Sequence, residues 1–391
     1  MINTNQPKAL ALEALLAEPV ERLRQREQDV AQPGMLDATS RPVLFGCGTL
    51  GRTALAGLRR DGVEPLAFAD NNPFAWETTV DGLPVLSLAE AINRFGRQTP
   101  IVVTIYTASA VVARLRNLGL NVMTFPQLAM RHPNSLLPWQ ALNLPSLMCS
   151  HAARIREAFA LWADEFSRQE YVAQIRFRYT LDCDLPPYLP ADQTYFPLEL
   201  LNLKPDEVFV DCGAFDGDSI AAFLKRTCGW FGGAVAIEGD PENAKRLRQL
   251  VEKVPAAVGA KIEVVQAAVG SANGTICFHS TGSVASNYLD GQGSIEVHCR
   301  KLDDIPGARG VTYIKMDIEG AEPQALAGAQ QIIQRDAPVL AICLYHRQTD
   351  LWEIPLQVSA MTDRYKYFLR RYSDDCWEQV LYAVPHERVL V

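Results

Sequence analysis

Short, mostly apolar runs recur through the second half of this chain, and each stops on a polar residue. Val208-Phe209-Val210 stops at Asp211, Ala234 to Ile237 at Glu238, 311 to 316 at Asp317, and 339 to 345 at His346. A further run, Ile262 to Gln266, passes into Ala267-Ala268-Val269. Runs without alternation predict strands buried on both faces, as in a parallel sheet. Between them the apolar period lengthens to that of a helix. Asp240 reads as an N-cap, Pro241 as the first helical residue, and Leu247, Leu250, Val251 and Val254 as a buried stripe. Strand and helix alternate, so the predicted class is α/β.

The first part of the chain repeats the pattern on a smaller scale. Leu12, Leu15, Leu16, Val20 and Leu23 give a charged, amphipathic helical lead-in over 8–30. Val43-Leu44-Phe45, 65–69 ending on Asp70, and 101–105 read as strands, and Val111 to Leu118 as a helix stopped by Gly119. Residues 126–200 are punctuated by Pro133, Pro138 and Pro145, then carry a helical stripe of Ile155, Phe159, Trp162, Ala163 and Phe166. The expected organisation is a helical lead-in (1–40), a Rossmann-like nucleotide-binding-type domain (41–130), a helical and proline-rich linker (131–194) and a larger α/β domain (195–391).

The segment from Glu207 to Ser219, E-V-F-V-D-C-G-A-F-D-G-D-S, joins a buried strand to a helix through a glycine turn. Such a junction is where α/β sheets bind nucleotide-like ligands. Gly213 and Gly217 let backbone approach a ligand, and Ala214, Asp216 and Asp218 complete the turn. Asp211 places a carboxylate there, which suits the ammonium and sulfonium of S-adenosylmethionine better than the pyrophosphate of NAD. Glu238, about 20 residues on, is placed for ribose hydroxyls, and Ala267 and Ala268 for an adenine face. Taken singly, acids at strand ends are ordinary helix caps. At successive strands in register they mark a site.

Residues from about 195 to 384 resemble the FkbM-type S-adenosylmethionine-dependent methyltransferases. The resemblance rests on Tyr195-Phe196, F-V-D-C-G-A-F-D-G-D-S, A-I-E-G-D-P-E-N, A-A-V-G with N-G-T, K-L-D-D at 301 to 304, I-K-M-D-I-E-G-A-E, and L-Y-H-R with D-L-W-E-I-P. It implies a class I methyltransferase fold for 195–391, Rossmann-like with a mostly parallel seven-stranded sheet, and S-adenosyl-L-methionine as cofactor. The implied reaction is methylation of a hydroxyl on a sugar or other small polyhydroxylated acceptor. Many members carry an acid near the end of the fifth strand, where this chain has Cys343, leaving His346 as the nearby polar group.

Methyl transfer to a hydroxyl needs positioning and a base. Asp317 is the first choice by position, and His346 the second because its ordinary pKa is near working pH. Glu319 and Glu322 would hold the loop or acceptor hydroxyls. Ser283, Ser286 and Asn287, in the Ser/Gly/Asn-rich loop 280–293, are expected acceptor contacts. Lys315 reads as a strand-face charge, Asp303 as part of a turn, Asp182-Cys183-Asp184 as a loop, and Tyr195-Phe196 as either a lid or core.

Gly46-Cys47-Gly48-Thr49-Leu50-Gly51 is a full G-x-G-x-x-G between strand and helix, and Asp70 lies where a Rossmann domain holds ribose. Gly46, Gly48, Gly51 and Asp70 are therefore a second candidate nucleotide site. An NAD(P)-dependent oxidoreductase would use it as cofactor loop, although no Tyr-x-x-x-Lys pair occurs. A non-catalytic nucleotide-binding protein is the other alternative. V-L-F-G-C-G-T-L-G, F-A-D-N-N-P and D-G-L-P-V are similar to small Rossmann-like domains attached to sugar-modifying enzymes, and ligand-binding and purely structural roles both stand.

Composition narrows the partners. With 391 residues, 48% hydrophobic and 21% charged, the chain has room for two ordinary domains. A net charge of -8 argues against nucleic acid as acceptor. Nine scattered cysteines without a C-x-x-C pair fit a reducing compartment, so a cytoplasmic location is expected. Cys277, His279, His298 and Cys299 lack zinc-site spacing, and no metal is expected. No apolar run reaches membrane-spanning length, and a homo-oligomer is compatible with the sequence.

Overall fold

The computed structural model describes residues 6–31, 41–106, 108–181, 185–279, 287–288 and 295–390. It divides into two compact units, one of 1–152 with 172–187 and 373–376, the other of 153–171, 188–372 and 377–391.

In the first unit the lead-in forms two helices, Gln6–Leu16 and Val20–Ala31, which bury Leu12 and Leu23. They part at Pro19, which has no N–H to continue the ladder. Its sheet comprises β1 (Val43–Phe45), β2 (Ala67–Ala69), β3 (Thr79–Val80), β4 (Leu83–Leu86), β5 (Ile101–Val103) and β6 (Val122–Thr124), in the order β3-β4-β2-β1-β5-β6. Only β3 runs antiparallel to its neighbour, through a two-residue Asp81-Gly82 turn with both φ angles positive (49° and 84°). The sequence pattern shows three of these strands. The pattern does not reveal the others: β3 is two residues long, and β4 contains Pro84, which weakens a strand signal. Leu44, Phe68, Val102 and Met123 pack one face of the sheet, Phe45, Ala67, Val103 and Val122 the other.

The second unit is built on β7 (Val208–Cys212), β8 (Gly233–Glu238), β9 (Ile262–Gln266), β14 (Tyr313–Met316), β15 (Val339–Cys343), β16 (Tyr365–Arg371) and β17 (Gln379–Pro385). Their order is β16-β17-β15-β14-β7-β8-β9, with β17 antiparallel to both neighbours. This is the seven-stranded, mostly parallel sheet of a class I methyltransferase. The strand order reverses between β7 and β14, so the connections diverge there and open a crevice at the carboxyl ends. Phe196, Phe209, Phe223 and Tyr313 cluster below it, with ring centroids 4.7 to 6.0 Å apart. Phe196 is thus core. Asp164 and Ser167, from the linker, brace β16: Arg370 donates to Asp164 Oδ2 at 2.6 Å and to Ser167 Oγ at 3.0 Å.

A second sheet holds β10 (Ala268–Val269), β11 (Gly274–His279), β12 (Asn287–Tyr288) and β13 (Ile295–Arg300). Its register sets Cys277 opposite Glu296 and His298 opposite Thr275. Among the described residues no helix is long and apolar enough to cross a membrane.

Candidate functional site

The glycine turn leaves β7 at Cys212. Gly213 has φ +79°, and a Cβ there would lie 2.0 Å from the carbonyl oxygen of Asp317. A Cβ on Gly217 would meet the side chains of Leu247 and Leu250 at 3.0 Å. The sequence suggested that these glycines make room for a ligand; their missing side chains make room for β14's exit and the helix Pro241–Lys253. The amides of Gly213 and Ala214 both donate to the Ile237 carbonyl at 3.0 Å, tying the turn to β8. Ala214 is buried and Asp216 half-buried, while Asp218 is exposed and accepts from the Ser219 amide at 2.7 Å.

Beneath the turn Asp211 meets Lys315 at 3.1 Å, and the same ammonium donates to the Gly213 carbonyl at 2.7 Å. Lys315 is only 2% exposed and Asp211 fully buried, so Lys315 is a buried ion-pair partner, not the strand-face charge its sequence position suggested. Burial pushes the Asp211 carboxyl up to about 6, against the pull of Lys315, which leaves it ionised at neutral pH. Neither carboxylate oxygen finds a well-aligned hydrogen-bond donor among the described residues. Glu238, at the end of β8, accepts from the amides of Phe215 (2.9 Å) and Asp240 (2.7 Å). Burial pushes it up to about 7. The amide of buried Ala267 donates to the Glu238 carbonyl at 3.0 Å, and half-buried Ala268 follows in β10. Asp211, Gly213, Glu238 and Ala267 thus gather at the carboxyl ends of β7, β8 and β9.

A second cluster occupies the carboxyl ends of β14 and β15. Asp317 follows β14, Glu319 lies in the next turn, Glu322 opens the helix Glu322–Ala327, and His346 lies beyond β15. His346 Nδ1 donates to Glu322 Oε1 at 2.9 Å, while Nε2 stands 3.3 Å from Asp317 Oδ1 and 3.8 Å from Glu319 Oε2. Burial opposes a charge on His346, but Glu322, Asp317 and Glu319 outweigh it and raise its pKa well above the ordinary value. Burial likewise opposes ionisation of Asp317. The His346 contact and the Lys315 charge win, holding Asp317 below the usual carboxylate range. Burial pushes Glu319 up to about 7, although its side chain remains 25% exposed.

Two tyrosines join this cluster that sequence reasoning had not placed there. Tyr195 donates to Asp317 Oδ2 at 2.8 Å, and Tyr345 to Oδ1 at 3.3 Å. Tyr195 also lies 3.8 Å from the Cys343 sulfur, and its ring faces the Lys315 ammonium at 5.2 Å. The Tyr195-Phe196 motif marked the place, but only tertiary structure separates the site residue from the core one. Ser283 and Ser286 lie outside the described residues, as does Asp182-Cys183-Asp184; of Asn287 only the backbone is described, in β12. Asp303 accepts from the amides of Gln331 (3.2 Å) and Ile332 (2.9 Å), a structural tie.

The first unit's glycine turn is more self-contained. A Cβ on Gly46 would lie 2.8 Å from the Thr104 carbonyl oxygen, and one on Gly51 2.0 Å from that of Gly46; Gly48 has no atom within 4 Å of its Cβ position. Asp70 Oδ2 accepts from the Cys47 amide (3.1 Å) and thiol (3.2 Å), and Oδ1 from the Asn72 amide (2.8 Å).

Comparison with known proteins agrees with the geometry of the second unit. Residues 211–374 match the family model described as the methyltransferase FkbM domain. A curated relative, the 2-O-methyltransferase NoeI of Sinorhizobium fredii (strain NBRC 101917 / NGR234), is 26% identical over 183 residues, covering 41% of this chain and 71% of that protein. The crystal structure of methyltransferase FkbM from Methylobacillus flagellatus KT shares the fold, with a TM-score of 0.74 and 22% identity, covering 98% of this chain and 100% of that one. The match over 211–374 and the similarity to NoeI support a methyltransferase.

Proposed function

We propose that the chain is an S-adenosylmethionine-dependent O-methyltransferase acting on a hydroxyl of a sugar or other small polyhydroxylated acceptor. The observation that carries this reading is the facing of two acidic groups across one crevice, Asp211 and Glu238 beyond β7 and β8, and the Asp317–Glu319–Glu322–His346 cluster beyond β14 and β15. The designation of the relative NoeI as a 2-O-methyltransferase supports the choice of oxygen.

The donor set fits the cofactor. Lys315 is already engaged by Asp211, so the side of the crevice formed by β7 and β8 offers carboxylates, which suits a cationic ligand more than a pyrophosphate. Bound there, the cofactor supplies a methyl group activated by its sulfonium. Asp211, with its poorly aligned oxygens, and the 213–218 turn would hold the methionine end, Glu238 the ribose, and Ala267 and Ala268 the adenine. Asp317, held by Tyr195 and Tyr345, is a weak base and serves as an anchor for the acceptor. Glu319, the outermost carboxylate of the cluster with Asp317, takes the hydroxyl proton as the acceptor oxygen attacks in line. His346 and Glu322 hold the loop in place.

The test is titration of the full chain with S-adenosylhomocysteine and with NAD, followed by methyl transfer from labelled cofactor to a panel of sugars and nucleotide-sugars. S-adenosylhomocysteine binding, and a methylated product that Glu319→Gln suppresses in kcat without loss of cofactor affinity, is expected. Binding of NAD alone would overturn the reading.

A further inference from the structure

We propose that Asp317, Glu322 and His346 form a binding site for a first-row divalent transition ion. One carboxylate oxygen from each acid and one imidazole nitrogen lie within 4.8 Å of one another, close enough for a single ion to engage all three after small side-chain shifts. Proximity of acids alone would carry little. The second observation is that Glu322 Oε2 finds no hydrogen-bond partner among the described residues, while His346 Nε2 has only its 3.3 Å contact with Asp317 Oδ1, without hydrogen-bond alignment. Their side chains are 0% and 2% exposed. Buried polar atoms are nearly always satisfied, so an orphan carboxylate oxygen beside a poorly satisfied imidazole nitrogen points to a missing partner.

The donors also define the kind of ion. Two carboxylates and one imidazole suit manganese, iron, cobalt or zinc, whereas magnesium and calcium favour oxygen alone. Each donor comes from a different segment: the end of β14, the first turn of the helix Glu322–Ala327, and the loop after β15. Tyr195 and Tyr345 fix the Asp317 carboxylate, as outer hydrogen bonds do around metal ligands. Three protein donors leave coordination positions open, the arrangement of a catalytic site. Binding of the ion does not depend on the methyl-transfer reading. Its role does: beside the acceptor, the ion would lower the hydroxyl pKa and ease proton loss to Glu319.

The experiment uses the full chain, stripped with chelator, and titrates it calorimetrically with Zn²⁺ and separately with Mg²⁺. One Zn²⁺ per chain, with Mg²⁺ weaker by about tenfold or more, is expected. Glu322→Gln should weaken Zn²⁺ binding by about tenfold or more. If that buried substitution does not fold, judged by circular dichroism, Asp317→Asn carries the same expectation. Cobalt(II) loaded in place of zinc should show d–d bands without thiolate charge transfer. No binding at millimolar Zn²⁺, undiminished binding in a folded variant, or a thiolate band would each overturn the site. Titration of the same sample with S-adenosylhomocysteine reports on the methyl-transfer reading separately.

Discussion

Two strand–glycine–helix turns occur in this chain, at 46–51 and at 213–218, and only one is surrounded by unfinished chemistry. In the first, the carboxylate of Asp70 accepts from two nearby amides and a thiol, and the Thr104 hydroxyl bonds the Phe45 and Gly46 carbonyls. In the second, a buried ion pair lies under the turn, and beyond β14 stands a cluster in which Glu322 Oε2 has no hydrogen-bond partner among the described residues. The glycines are alike: Gly51 and Gly213 each leave 2.0 Å between a Cβ position and a backbone oxygen. A glycine turn is therefore first a solution to packing a strand against a helix. What distinguishes a reaction site is the polar residues that neighbouring strands deliver to it.

The sharpest test of that contrast pairs Gly213→Ala with Gly51→Ala. Both force a methyl onto a carbonyl oxygen, and each should destabilise its own unit by about 3 kcal/mol or more, read in urea. Only Gly213→Ala should also weaken S-adenosylhomocysteine binding, by about a hundredfold, because it displaces the turn from Asp317. Equal losses of affinity would break the comparison.

Lys315→Met comes next. It removes the cation that holds buried Asp211 ionised, so the carboxyl rises above its present value of about 6 and takes up a proton; breaking such a buried pair costs about 3–5 kcal/mol. A loss below about 1 kcal/mol would mean that water or another cation reaches Asp211.

Glu238→Gln is smaller again. It removes the carboxylate proposed above to accept from ribose hydroxyls, and affinity for S-adenosylhomocysteine should fall about tenfold, near 1.4 kcal/mol. The pH sign follows from the carboxyl lying at about 7. Ligand hydroxyls bond best to the ionised form, so wild-type affinity should be level above pH 7 and decline as pH falls through 7. The Gln variant should lack that decline when the two are titrated side by side.

The sequence made the second unit legible because its strands are four to six residues long where the crevice forms, and each ends on a residue of distinct chemistry. Asp211, Glu238, Asp317 and His346 could be ranked from that alone. Lys315 could not, since a lysine inside an apolar run looks the same whether it faces water or a buried carboxylate on the neighbouring strand. Tyr195 and Tyr345 were hidden for a related reason: the chain is 122 residues long between Tyr195 and the Asp317 it bonds. The first unit was less legible, because β3 is two residues long and β4 contains Pro84, which weakens any strand signal.

The smallest effect belongs to Asp70→Asn, and it bears most directly on the first turn. The substitution keeps one acceptor oxygen and sets an amide N–H₂ against a backbone donor, either at Cys47 or at Asn72. Loss of one such bond costs about 1 kcal/mol, visible as a modest drop in urea midpoint. S-adenosylhomocysteine affinity and methyl-transfer rate should be unchanged. If the wild-type chain binds NAD or a nucleotide-sugar and Asp70→Asn abolishes that binding, Asp70 holds a ligand as well as its loop, and the contrast between the two turns becomes one of ligand, not of packing against chemistry. If neither ligand binds either protein, the carboxylate at the end of β2 is a loop anchor, fully accounted for by the Cys47 and Asn72 amides it already satisfies.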